Sequence, residues 1–169
     1  MTKMATTMGP DFVVQFTDDQ ESAVRDFDFQ ELDAVILGRA LSDADRERLR
    51  ATIHAKNPKL VLLKSLAPIG GLIGEQVKAA VFEHIGRPPI LTDLSYHRRH
   101  LRYALAENSA VDIVVYRFNV LFQAKSEPMS SGPATAGEQD TELGSLGLPG
   151  ERFAVVTVNG DEKHIIKLR

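Results

Sequence analysis

The chain has no cysteine among its 169 residues. Without thiols there is no disulfide, no thiolate zinc site and no cysteine nucleophile, so thiol redox chemistry is excluded. A strong charge of one sign is also missing. The net charge of −3 gives no general attraction to nucleic acid or to anionic lipid, although a local patch can still act. No apolar run approaches the roughly 20 residues of a membrane span, and the start of the chain lacks the basic residues and apolar block of a signal peptide. Cytoplasmic placement is the expectation. What is present is a globular mixture, 43% hydrophobic and 25% charged, in a length that suits one good core or two small ones.

The clearest stretch runs from Asp33 to Ser65. Ala34 to Leu37 is an apolar run suited to a buried strand, and Lys59 to Leu63 repeats the pattern. Between them Ser42 stands where an N-cap belongs, Asp43 and Asp45 meet the positive end of a helix, and Asn57-Pro58 stops it. Leu49 and Ile53 give that helix one buried stripe. The unit is a βαβ crossover, which predicts a parallel pair. Upstream, Met1 to Pro10 reads as a loose tail and Phe12 to Phe16 as a first strand ending at Thr17-Asp18-Asp19. Gln20 to Leu32 is a weak helix with Ala23, Val24, Phe27 and Leu32 available to face inward. Downstream, Ala67 to Gly74 leads into a helix to about Ile85, with Ile73, Val77, Ala80 and Val81 on one face and Gly86 as its terminator.

These elements resemble the response-regulator receiver domains. DAVILG, a charged helix, NPKLVLL and a small hydroxylic residue look like the third strand, third helix and fourth strand of that family. The resemblance implies that Ser65 takes the hydroxyl position and that Asp18 and Asp19 take the place of the magnesium-holding acidic pair. Gly38 stands where the phosphoacceptor aspartate should be. A degenerate, shortened receiver-like or flavodoxin-like layer is expected, without the family's phosphoryl chemistry.

At Arg87-Pro88-Pro89 the composition changes to a stiff segment suited to a domain boundary, and beyond it the period falls to two. Leu101, Tyr103 and Leu105 alternate, as do Val111, Ile113 and Val115, then Val120 and Phe122, then Phe153, Val155 and Thr157, then Ile166 and Leu168. Asn159-Gly160-Asp161 is a hairpin signal. Ser130 to Gly150 reads as a mobile loop with at most a short strand near Thr141 to Leu143. The run AVDIVVYRFNVLFQAKSEPMSSG, with LPGERFAVVTV and KHIIKLR after it, resembles the small Ig-like domain of flagellar hook-capping proteins and of type IX secretion sorting domains. That family implies a β-sandwich serving as a structural or docking module, usually in exported proteins, so exported placement stays open.

Candidate chemistry is sparse. Gly70, Gly71 and Gly74 lie at a strand-to-helix turn, where backbone N–H groups can cradle a phosphate, but the spacing matches neither GxGxxG nor the P-loop and is better suited to a tight turn with close helix packing. Asp18 and Asp19 could ligate a divalent cation or cap a helix. His97 to Tyr103 mixes basic and aromatic residues as a nucleic-acid site does, yet its alternation is that of a strand with a solvated face.

The sequence therefore predicts an α/β plus all-β chain, with a receiver-like domain at 11–88 and an Ig-like β-sandwich at 89–169. The expected function is that of a non-catalytic interaction or scaffold protein. Its partner is another protein, a second copy included, with no nucleic acid, membrane, metal or cofactor involved. The alternative is a small-molecule or nucleotide binder whose ligand sits near Asp18, Asp19, Gly38, Arg39, Ser65, Gly70 and Gly71.

Overall fold

The computed structural model describes residues 12–119, 121, 123–144 and 150–169. The expected tail, and Val120 and Phe122 of the expected strands, lie outside the described residues. The chain divides into two compact units, Met1–Val77 and Lys78–Arg169.

In the first unit, α1 (Gln20–Asp26) leads to β1 (Ala34–Leu37), α2 (Asp43–Lys56), β2 (Val61–Lys64) and the start of α3 (Gly70–His84). Local chemistry sets the ends of α2. The Ser42 hydroxyl accepts the Asp45 N–H at 3.1 Å, and the Asn57 N–H closes the last turn on the Ile53 carbonyl at 2.9 Å. The two strands pair in parallel, Ala34 beside Val61 through Leu37 beside Lys64. Leu49 and Ile53 of α2 join Phe29, Leu37 and Leu60 in one core, with Val24, Phe27, Leu32, Val35 and Leu62 packed around it. Burial of each such side chain contributes about 1.5–3 kcal/mol.

Phe12 to Phe16 does not form the expected strand. Val13 is 98% exposed and Phe16 49%. Strand propensity becomes structure only when a ladder and a packed face support it, and neither does so here. Among the described residues the parallel layer consequently has two strands, without the third expected from Phe12 to Phe16. On α3, Ile73 and Val77 are buried as expected, but Val81 is exposed. The helix stops where Gly86 takes a φ of 72°, and its N–H returns to the Glu83 carbonyl.

The second unit is built from antiparallel strands. β3 (Leu91–His97), β4 (His100–Leu105) and β7 (Gly137–Glu142) form one sheet in the order β3-β4-β7. β5 (Ser109–Phe118), β6 (Ala124–Ala134), β8 (Arg152–Val158) and β9 (Glu162–Leu168) form another in the order β6-β5-β8-β9. Both sheets contribute to one core: Leu91, Leu101, Tyr103 and Leu105 from the first, and Val111, Ile113, Val115, Ala154, Val156, Val158 and Leu168 from the second.

Two expectations are corrected. The stretch 130–144 is not a loop, because Ser130 to Ala134 completes β6 and Gly137 to Glu142 is β7. Strands so poor in large apolar residues carry little period-2 signal, and their neighbours supply the pairing. On β8 the residues in that core are Ala154, Val156 and Val158, not Phe153, Val155 and Thr157. Phe153 and Val155 are buried as well, so β8 is apolar on both faces and its pattern does not reveal which face points inward.

Candidate functional site

In an open parallel layer, ligands bind beyond the carboxyl ends of the strands. Three of the expected residues converge there. The Ser65 N–H donates to the Leu37 carbonyl at 3.1 Å, carrying the β1–β2 ladder one step further. Arg39, two residues past β1, donates from Nη1 to the Leu66 carbonyl at 3.2 Å. Gly38 between them is exposed, with open space where a side chain would stand. Gly70 and Gly71 follow after a short loop in which the buried Ser65 hydroxyl donates to the Ala67 carbonyl at 3.1 Å.

Gln76 of α3, which the sequence reading passed over, completes this region. Its Oε1 accepts the Leu66 N–H at 3.0 Å, and its Nε2 donates to the Lys64 carbonyl at 3.1 Å. One side-chain amide thus takes the place of a neighbouring strand at the end of β2. The polar groups that a ligand would use are in large part satisfied by the chain itself.

Asp18 and Asp19 do not join this group through any hydrogen bond or ion pair among the described residues. Asp19 is the N-cap of α1, accepting from Ser22 Oγ at 2.6 Å and from the Glu21 N–H at 3.0 Å. The Ser22 bond, followed by the Glu21 N–H, holds its carboxyl below the usual aspartate value. Asp18 is exposed. Among the described residues, no group of three or more His, Asp or Glu is arranged to hold a metal ion, and no helix is long and apolar enough to cross a membrane.

The sheet edges differ between the two units. Edge strand β6 carries Pro128 and Pro133 and a register shift opposite Ile113 and Val114, while edge strand β7 is short and carries Glu138, Asp140 and Glu142. Prolines, irregularities and charges of this kind blunt an edge against pairing. The β1–β2 layer has no such protection along β1. The bonds from the Val61 N–H to the Asp33 carbonyl and from the Ser65 N–H to the Leu37 carbonyl fix the phase of the parallel ladder. Asp33, Val35 and Leu37 turn their backbone groups toward β2, so those of Ala34 and Ile36 point away from it. No strand pairs with that outer edge among the described residues. Beside β2, a groove of about 490 Å³ lies between Leu60 and Leu62 and the Glu47, Arg50 and His54 side of α2.

No protein-family model matches the chain, and no curated protein matches it.

The cluster His97 to Arg102 is resolved into separate roles. His97 and His100 are paired across a turn made only of Arg98 and Arg99, so these arginines are not strand residues. His100 Nδ1 lies 2.7 Å from Asp140 Oδ1, and Arg102 Nε donates to Asp140 Oδ2 at 3.0 Å. These two contacts, that of His100 first, keep the Asp140 carboxyl below its ordinary value. The spacing SYH-RR-HLRY is that of a two-residue hairpin, but neither arginine is a turn-forming residue and the signal is hidden.

Proposed function

We propose that this chain is a non-catalytic protein-interaction or scaffold protein, composed of a degenerate receiver-like α/β domain at about 11–88 and an Ig-like β-sandwich at about 89–169. The observation that carries the reading is the outer edge of β1, where the backbone groups of Ala34 and Ile36 have no strand beside them among the described residues. An extended segment of a partner adds to such an edge through main-chain hydrogen bonds, with side-chain contacts supplying specificity. The neighbouring strand-end region supports the same reading. Ser65, Gln76 and Arg39 spend hydrogen-bonding groups on their own loop, which leaves less for a small ligand. The two sheets with a shared apolar core support the sandwich as a rigid docking module.

Affinity capture with the full chain and with an Ala34→Pro variant tests the proposal. Proline at the first residue of an edge strand removes an outward N–H without removing a bond to β2. The wild type is expected to retain a partner, or a second copy, that the variant loses at an unchanged unfolding midpoint. Equal capture by both proteins would overturn the reading. So would a raised melting temperature with nucleotides or small metabolites together with no edge-dependent capture, since a ligand that binds only the folded state raises the midpoint.

A further inference from the structure

Two tight turns of the second unit are made with opposite chemistry. Between β8 and β9 the left-handed positions belong to Asn159, with φ 50°, and Gly160, with φ 85°. These residues adopt that backbone at little cost. Between β3 and β4 the corresponding positions belong to Arg98, with φ 48°, and Arg99, with φ 73°. An arginine Cβ crowds the backbone there, and reversing the chain asks for nothing that arginine supplies.

Both side chains are exposed, and neither guanidinium has a hydrogen bond or ion pair among the described residues. Their neighbours Arg102 and His100 are instead held by Asp140. The turn is anchored from behind, because the Arg99 carbonyl accepts the N–H of the buried Leu143 at 2.8 Å. Below the tip, Glu142 is paired with His100, Asp140 with Arg102 and Glu138 with Ala104. Directly opposed residues share a face, so the solvent side of the sheet carries three carboxylates. Arg102 on that face is held by Asp140, which leaves Glu138 and Glu142 as the excess charge there, so a long polyanion laid along this sheet would meet like charge beyond the Arg98-Arg99 tip.

We propose that the Arg98-Arg99 tip recognises the carboxylates of a short acidic segment in a partner protein. A guanidinium presents a planar fork that matches a carboxylate bidentately, and two of them on an anchored two-residue turn need little ordering on binding. Strained backbone retained at an exposed tip is the signature of a site kept for contact rather than for stability. The inference rests on reading the chain as an interaction protein, but it uses a different surface from the β1 edge.

The test measures binding of a short oligoglutamate peptide to the full chain at low and high salt. A single-stranded oligonucleotide and anionic phospholipid vesicles serve as parallel arms. Arg98→Asn/Arg99→Gly removes both guanidinium groups and installs residues that favour the turn. The wild type should bind the peptide in a salt-dependent way, and the double variant should bind it about tenfold more weakly or worse, with an equal or higher melting temperature. Absence of peptide binding by the wild type, undiminished binding by the variant, or tighter binding of the oligonucleotide or vesicles would each overturn the proposal. Failure here with edge-dependent capture intact would remove the tip and leave the β1 edge standing.

Discussion

The carboxylate of Glu162 accepts the backbone N–H of Leu91 at 2.8 Å, joining strands that belong to different sheets. Its second oxygen accepts the Ile90 N–H at 2.8 Å, and His164 Nε2 lies 2.7 Å from the first. Glu162 is only 1% exposed, so these partners stand in for the water it has lost. Glu162→Leu should leave two backbone donors without acceptors. Each orphaned donor costs about 1–3 kcal/mol, so the two together predict a loss of about 2–6 kcal/mol from the second unit. All three tyrosines, Tyr96, Tyr103 and Tyr116, lie in that unit, so urea unfolding followed by tyrosine fluorescence reads it alone. A midpoint within error of wild type would show that the clamp adds nothing.

The turn at Arg98 and Arg99 should respond in the opposite direction. Left-handed backbone costs an ordinary residue on the order of 1–2 kcal/mol, most of which Asn-Gly avoids. The Arg98→Asn/Arg99→Gly variant should therefore gain about 1 kcal/mol or more, or about 4 °C or more in the tyrosine-monitored melting transition of a unit this size. A lowered transition would mean that the arginines stabilise the hairpin.

What the sequence disclosed follows from where its signals are local. The helix from Asp43 to Lys56 was legible because Ser42, Asp43, Asp45 and Asn57 each act within one turn of themselves. Phe12 to Phe16 misled because a strand needs a partner, and no propensity records whether one is present. Phe153 and Val155 misled because β8 is apolar on both faces, which erases parity. Gln76 and Glu162 were invisible for a different reason. A polar side chain that reaches ten or seventy residues back to a backbone group has no spacing rule to announce it. Of the candidate strand-end residues, Gly38, Arg39 and Ser65 lie together past the ends of β1 and β2, whereas Asp19 caps the start of α1 and Asp18 is exposed.

Gln76 gives a third prediction, specific to the first unit. Gln76→Leu keeps the side chain nearly the same size and removes both polar contacts, leaving the Leu66 N–H and the Lys64 carbonyl without them. The expected cost is about 1–3 kcal/mol, with faster amide exchange at Leu66 than in the wild type. Gln76→Glu is the sharper comparison, since it retains an acceptor for Leu66 but sets a second oxygen against the Lys64 carbonyl. It too should destabilise the unit. Unchanged exchange at Leu66 in both variants would show that the amide does not hold the loop.

The last prediction concerns acid. Asp140 is held below the ordinary aspartate value of 3.8 by the hydrogen bond with His100 first, with Arg102 adding to it. A carboxyl lowered in the folded state binds its proton more weakly there than in the unfolded chain. Its contribution is therefore present above the unfolded value and is lost as pH falls through the lowered folded value. Asp140→Asn should make the second unit slightly less stable than wild type at neutral pH, and the two should converge as the pH drops below about 3–4, the ordinary carboxylate range. Because the group is exposed, the difference should also shrink in high salt. The comparison is read from urea midpoints by tyrosine fluorescence across pH. A gap that stays constant from neutral to acid pH would assign the role of Asp140 to its shape rather than to its charge.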